Sequence, residues 1–306
     1  MKNISIILII ICIYACSKKT ANVLNDDFQN ITVDISYLAS DELEGREIGT
    51  KGEQLAADYI AERFKKIGVK PYFSNYFQPF SKKIKSNPHA NEPSPEDPEI
   101  KGKNVIAHID NGKSNTIVVG AHYDHLGYGK EGSLYAGEKA IHNGADDNAS
   151  GVAMMLFIAE KIRSSNLKNY NVLFIAFSGE EKGLWGSNFF VNNSTFDSKK
   201  INFMLNLDMV GRLNKDKQIA ISGVGTCPEF SSILDTHNKY GFKIKKTESG
   251  VGPSDHTSFY LKDIPVLALF TGQHEDYHKP SDDIQNLNFK GMKELSAYAI
   301  DIIRDI

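Results

Sequence analysis

Two adjacent carboxylates, Asp146 and Asp147, sit in the polar, glycine-rich stretch Ile141-His-Asn-Gly-Ala-Asp-Asp-Asn-Ala-Ser-Gly151, with no Lys or Arg beside them. Neighbouring anions repel, and a cation placed among them relieves the repulsion. Taken alone, the pair also suits a helix start, with Asp147 or Asn148 as cap and Asp146 solvated. The rest of the chain decides for the cation. His122-Tyr-Asp-His125, Ser178-Gly-Glu-Glu181, Asp208 and His274-Glu-Asp-Tyr-His278 each follow an apolar run. Imidazole and carboxylate without cysteine suit Zn²⁺ or a similar divalent ion. These candidates exceed what one tetrahedral site can use, which points to a pair of ions. Two metals about 3.5–4 Å apart need a bridging carboxylate and can hold a water between them. Asp146, on a loop in the middle of the set, is the expected bridge. Of Glu180 and Glu181, one binds metal and the other stays free to take a proton from the water.

Strands and helices must bring these groups together. Residues 104–109, 116–121, 171–177, 203–207, 218–221 and 265–270 read as strands. Residues 53–67, a segment from Gly151 to about Arg163, and 184–191, 228–240 and 289–303 read as helices. Short strands are expected within 71–84, and the proline-rich segment 87–99 reads as a surface loop. Alternating strands and helices predict an α/β fold, a mixed, largely parallel central sheet covered by helices on both faces. In such sheets functional groups gather beyond the carboxyl ends of the strands. Each strong apolar strand here ends in His, Asp or Glu.

Composition bounds the function. With 306 residues, 41% hydrophobic, 24% charged and a net charge of −3, the chain reads as a globular protein with ample core and no nucleic-acid signal. Lys2, the apolar run 4–13 and Ile13-Tyr-Ala-Cys16 resemble a bacterial lipoprotein leader. By that resemblance residues 1–15 are a signal peptide, Cys16 is lipidated, 16–30 is a tether, and 31–306 is one catalytic domain. The domain is then exported and anchored to a bacterial membrane, facing the periplasm or the surface, with no other membrane contact. Excluding the leader leaves Cys227 as the domain's cysteine, so no intrachain disulfide is expected.

Gly120-Ala-His-Tyr-Asp-His-Leu-Gly127, Asn143-Gly-Ala-Asp-Asp-Asn-Ala-Ser-Gly151, Phe177-Ser-Gly-Glu-Glu-Lys-Gly-Leu-Trp-Gly-Ser187, Asn206-Leu-Asp-Met-Val-Gly-Arg212, Ser254-Asp-His-Thr-Ser-Phe259 and Tyr277-His-Lys-Pro-Ser-Asp-Asp283 together resemble the di-zinc exopeptidases of metallopeptidase family 28. Leu38-Ala-Ser-Asp-Glu-Leu-Glu-Gly-Arg46 resembles that family's N-terminal segment. The resemblance implies the zinc-exopeptidase fold and two Zn²⁺ ions per chain. His122 and Asp208 would bind one ion, Glu181 and His278 the other, and Asp146 both, with a cis peptide joining Asp146 to Asp147. Glu180 would be the general base, Asp124 would fix the ring of His122, Asp147 would position Asp146, and Tyr277 would stabilise the oxyanion. The implied activity is removal of N-terminal residues from peptide substrates. Alternatives are a single-zinc glutaminyl cyclase, a carboxypeptidase or dipeptidase of the same fold, and a non-catalytic binding module.

Other polar residues have plainer readings. His125 and His142 are expected to be hydrogen-bonding neighbours of the site. Ser254-Asp-His256 reads as a loop near the substrate pocket, Arg212 as the partner of a loop acid, and Asp282 and Asp283 as supports of the His278 loop.

Overall fold

The computed structural model describes residues 28–87, 89–193 and 197–306. The signal peptide, Cys16 and most of the expected tether lie outside the described residues. Helix α1 (Gln29–Leu38) buries Ile31, Ile35 and Leu38, so ordered structure begins at residues assigned to the tether. Asp34 shares that buried stripe. Its carboxylate accepts from Tyr59 Oη at 2.6 Å and from Arg63 Nε at 2.5 Å. Helix α2 (Lys51–Ile67) starts at Thr50, whose hydroxyl accepts from Glu53 N. The Glu53 carboxylate reaches back past the cap to Gly49 N at 3.1 Å, so it ties the preceding turn to the helix start. The helix stops at Gly68, which adopts φ 81°.

The remaining elements alternate. In chain order they are β1 (Lys70–Pro71), β2 (Phe77–Lys83), β3 (Glu99–Ile109), β4 (Thr116–His122), α3 (Gly151–Ser164), β5 (Asn171–Phe177), α4 (Trp185–Asn192), β6 (Ile201–Leu207), β7 (Gln218–Ser222), α5 (Phe230–His237), β8 (Lys243–Thr247), α6 (His256–Tyr260), β9 (Val266–Phe270) and α7 (Phe289–Asp305). They form one sheet in the order β1-β3-β5-β4-β6-β9-β7-β8, with β2 also paired to β3. The centre, β5-β4-β6-β9, is parallel. The β3–β5 and β7–β9 pairs are antiparallel, so the sheet is mixed as expected.

The apolar runs are continuous because both faces are covered. On β5, Val172, Phe174 and Ala176 join the core shared with α1, α2, α3 and α7. Leu173, Ile175 and Phe177 join the opposite core, with residues of α4 and α6. Strand β8 is absent from the sequence reading. Its residues Lys-Ile-Lys-Lys-Thr lack an apolar run, since an edge strand is half-exposed and charge there discourages further pairing. Among the described residues no helix is long and apolar enough to cross a membrane.

Arg46 locks the N-terminal segment onto the loops at the strand ends. It is 1% exposed and donates to the carbonyls of Leu38, Tyr123, Asn143 and Gly144. Burial lowers its pKa to about 10, which leaves it charged at neutral pH. Arg46→Met leaves four carbonyls, three of them in buried bonds, without this donor. Hydrogen bonds to charged groups contribute about 1.5–3 kcal/mol each, so a loss of at least about 3 kcal/mol is expected. Urea unfolding monitored by tryptophan fluorescence would measure it, and an unchanged midpoint would refute the role.

Candidate metal centre

The adjacent parallel strands β5, β4, β6 and β9 deliver the polar groups to one end of the sheet. His122 is the last residue of β4, and Asp208 directly follows β6. Glu180 and Glu181 lie just past β5, and the loop after β9 carries Tyr277 and His278. The intervening turns hold these groups in place. The Asp124 carboxylate is fully buried and accepts from the backbone N–H groups of Glu180 at 3.0 Å and Glu181 at 3.3 Å. It therefore fixes the glutamate pair. The ring of His122 is held instead by the Asp124 main chain, with Nδ1 3.2 Å from the carbonyl oxygen and 3.8 Å from carboxylate Oδ1.

The central carboxylate is Asp147, not Asp146. Asp147 Oδ1 lies 3.3 Å from His122 Nε2, and its Oδ2 lies 3.2 Å from His278 Nε2. Asp208 Oδ1 is 3.5 Å from His122 Nε2, and Glu181 Oε2 is 3.3 Å from His278 Nε2. Asp146 turns the other way. Its Oδ1 accepts from Gly211 N at 2.6 Å and Ser150 Oγ at 3.0 Å, while Oδ2 lies 3.2 Å from His274 Nε2. The cis peptide joins Asp147 to Asn148, one residue later than expected.

Backbone anchoring sets this register. Asp282 accepts from the N–H groups of both Asp146 and Asp147 at 3.0 Å. Asn148 Oδ1 accepts from Gly151 N at 3.0 Å, so Asn148 caps the start of α3 as expected. Gly144 permits the turn: it has φ 55°, and a Cβ there would sit 2.1 Å from the Asp147 carbonyl oxygen. Asp282 thus supports the aspartate loop, whereas the sequence reading gave it the His278 loop.

The donor chemistry fits a metal. Nδ1 of His122 faces the Asp124 carbonyl, and Nδ1 of His278 faces the Gly132 carbonyl at 2.8 Å. A carbonyl only accepts, so both Nδ1 atoms carry hydrogen. Each Nε2 then faces carboxylates, so either a proton or a metal ion must lie between them, and a metal ion would displace that proton and take the Nε2 lone pair. Donor atoms of His122, Asp147 and Asp208 lie within 4.8 Å of one another, as do those of His125, Asp147 and Glu181. Asp147 belongs to both groups. His125 enters through a 2.8 Å contact of its Nδ1 with Glu181 Oε1, which matches its expected place as a neighbour. His142 bonds Ser133 Oγ and the Ala140 carbonyl and braces its own loop.

The electrostatics agree. Burial disfavours an imidazolium at His278, yet Asp147 and Glu181 outweigh it and push the ring up to about 10. Burial raises Asp124 and Asp255 to about 7 and holds the Glu180 carboxyl well above its ordinary range. Without a metal the two imidazoles balance part of this negative charge by holding protons, and a divalent cation would replace them.

A cavity of about 290 Å³ opens onto these groups. Asp147, Glu180, Glu181, Asp208 and Tyr277 line its polar side. Met209, Ala220, Ala268, Leu269 and Phe270 form an apolar wall, with Ser254 and His256 between. The 254–256 loop is therefore at the pocket, as expected. The Tyr277 ring stacks on that of His278 at 3.8 Å. Arg212 pairs with the loop acid Asp276 at 2.8 Å. Sequence reasoning missed the Gly132 carbonyl that orients His278 and the Arg46 lock. A main-chain acceptor leaves no mark in residue types, but a lone Arg in an acidic loop could have drawn attention.

The sequence pattern of peptidase family M28 matches residues 104–303. A probable leucine aminopeptidase of Arthroderma benhamiae is 31% identical over 210 residues, covering 64% of this chain and 54% of the relative. The chain thus spans about half the length of the curated relatives it matches. Among solved structures, the zinc aminopeptidase BSAP from Bacillus subtilis superposes with a TM-score of 0.70 at 18% identity, over 91% of this chain and 94% of that one. Porphyromonas gingivalis glutaminyl cyclase superposes with a TM-score of 0.72 at 17% identity, over 91% and 98%. These structural likenesses establish the fold that carries the site.

Proposed function

We propose that this chain, a member of peptidase family M28, is a zinc-dependent aminopeptidase that removes N-terminal residues from peptides. The observation carrying this reading is the Asp147 carboxylate set between two imidazoles whose Nε2 atoms both face it. His122 and Asp208 would hold one zinc ion, Glu181 and His278 a second, and Asp147 both. Zinc bound there would polarise the peptide carbonyl and acidify water.

The chain's own groups do the rest. Glu180 lines the cavity beside Asp147, and burial raises its carboxyl, which makes the carboxylate a stronger base. It takes a proton from the attacking water and gives it to the amine released when the C–N bond breaks. Tyr277 faces the same cavity and can donate its hydroxyl hydrogen to the oxyanion. The carboxylates lining the cavity can attract the substrate's α-ammonium, while the apolar wall receives its side chain.

Treatment with a strong chelator is expected to abolish release of the N-terminal residue from leucyl peptides, and added Zn²⁺ to restore it. Full activity after complete metal removal would overturn the reading. Running an N-terminal Gln peptide in parallel separates hydrolysis from cyclisation, which the shared fold alone does not.

The leader supports a further part of the proposal, export and lipid anchoring at Cys16. Cys16→Ser is expected to move the protein from the membrane pellet to the soluble fraction in a bacterial host. Retention in the pellet would contradict it.

A further inference from the structure

Beside the metal-site cavity runs a second groove of about 690 Å³, and the two share Ala220 and Gln273. Arg212, Lys243 and Lys245 line this groove with Asn214 and Gln218, and among the described residues no Asp or Glu does. The chain as a whole has 38 acids against 35 bases, so this concentration of cations is not an average surface. The adjoining cavity instead carries the carboxylates Asp147, Glu180, Glu181 and Asp208.

The sheet sets the spacing. Lys245 is directly opposite Ala220 on β7, and Lys243 is opposite Gln218. Ala220 in turn pairs with Phe270 on β9. Ala220 and Phe270 both line the metal-site cavity. Residues opposite one another on neighbouring strands share a face, and the strands lie about 4.7–4.9 Å apart. Lys245 therefore stands one strand beyond the cavity wall, on the same face. Strand alternation turns Lys246 to the other face, where it pairs with Asp235 at 2.6 Å. Arg212 is held by Asp276 through Nη2, and its buried Nη1 has no hydrogen-bond partner. Lysines on an edge strand discourage sheet extension in any protein. That role explains neither the polar lining nor the continuity with the acidic cavity.

We propose that this groove binds a carboxylate of the same peptide whose amino terminus lies in the acidic cavity. Substrates with an acidic side chain or a free C-terminus close to the scissile bond are then preferred over neutral ones. The inference rests on the aminopeptidase reading and adds a substrate class to it. Opposite charges at the two ends of the substrate would fix its direction as well as attract it.

The test compares wild type with the double variant Lys243→Met, Lys245→Met. Three substrate pairs identify the source of the carboxylate. Leu-Gly-Gly is set against its C-terminal amide, Leu-Glu-Gly amide against Leu-Gln-Gly amide, and Glu-Gly-Gly amide against Gln-Gly-Gly amide. Leucine p-nitroanilide serves as the neutral control. At low salt the wild type is expected to favour the carboxylate member of at least one pair by about five- to tenfold in kcat/KM, falling as salt is added. The double variant should lose that preference while its rate on the neutral control stays unchanged. Equal turnover within every pair, or a preference that survives in the double variant, overturns the proposal. If zinc-loaded protein hydrolyses none of the substrates, the aminopeptidase reading fails instead. Calorimetric binding of the same pairs to the same two proteins then decides the groove, and equal affinity for carboxylate and amide overturns it.

Discussion

Replacing Asp147 by Ala is expected to remove bound zinc from both halves of the site and to reduce aminopeptidase activity by more than about 100-fold, beyond the cost of losing an outer partner of a metal ligand. Its two oxygens face different imidazoles, at 3.3 Å from His122 Nε2 and 3.2 Å from His278 Nε2. No other described carboxylate belongs to both donor groups. Asp208→Ala should chiefly deplete the half shared with His122, so metal analysis should find an intermediate zinc content. Asp146→Ala makes the sharper control. It removes the acceptor of Gly211 N and Ser150 Oγ and loosens the loop, so stability falls more directly than metal affinity. Zinc content and thermal midpoint, measured together on the three variants, separate these effects. An Asp147→Ala protein that still binds its full complement of zinc would sink the assignment.

Glu180→Gln is expected to lower kcat by about 10²- to 10⁴-fold, the usual contribution of a positioned general acid–base. Zinc content should remain at the wild-type level. The substitution preserves side-chain size and the backbone N–H that bonds Asp124 at 3.0 Å, so the glutamate loop should keep its place. Glu181→Gln offers the contrast. Glu181 contacts both His125 at 2.8 Å and His278 at 3.3 Å, so its change should weaken metal binding as well as turnover. The split between the neighbours is the informative result. Near-normal turnover in Glu180→Gln, or zinc loss in that variant comparable to Glu181→Gln, would remove Glu180 from the role of base.

Much of this protein follows from residue order alone. Apolar runs on both faces of a covered sheet announce β4, β5, β6 and β9, and the polar residues after them announce the site. Helix α2, expected at 53–67, spans 51–67, because its amphipathic pattern, threonine cap and terminal glycine are local signals. Local signals fail for β8, which packs little and is rich in lysine. They fail again between Asp146 and Asp147. The two side chains are chemically identical and adjacent, so no pattern of residue types separates them. The choice depends on where the turn is pinned, and Asp282, Gly211 and the Leu207 carbonyl that accepts from Asn148 pin it from other parts of the chain. The orientation of His278 likewise depends on a main-chain carbonyl at Gly132, far away in sequence. Sequence therefore determined which chemical groups reach the end of the sheet. Only the tertiary structure decided which oxygen faces which nitrogen, because that is settled by hydrogen bonds between distant segments.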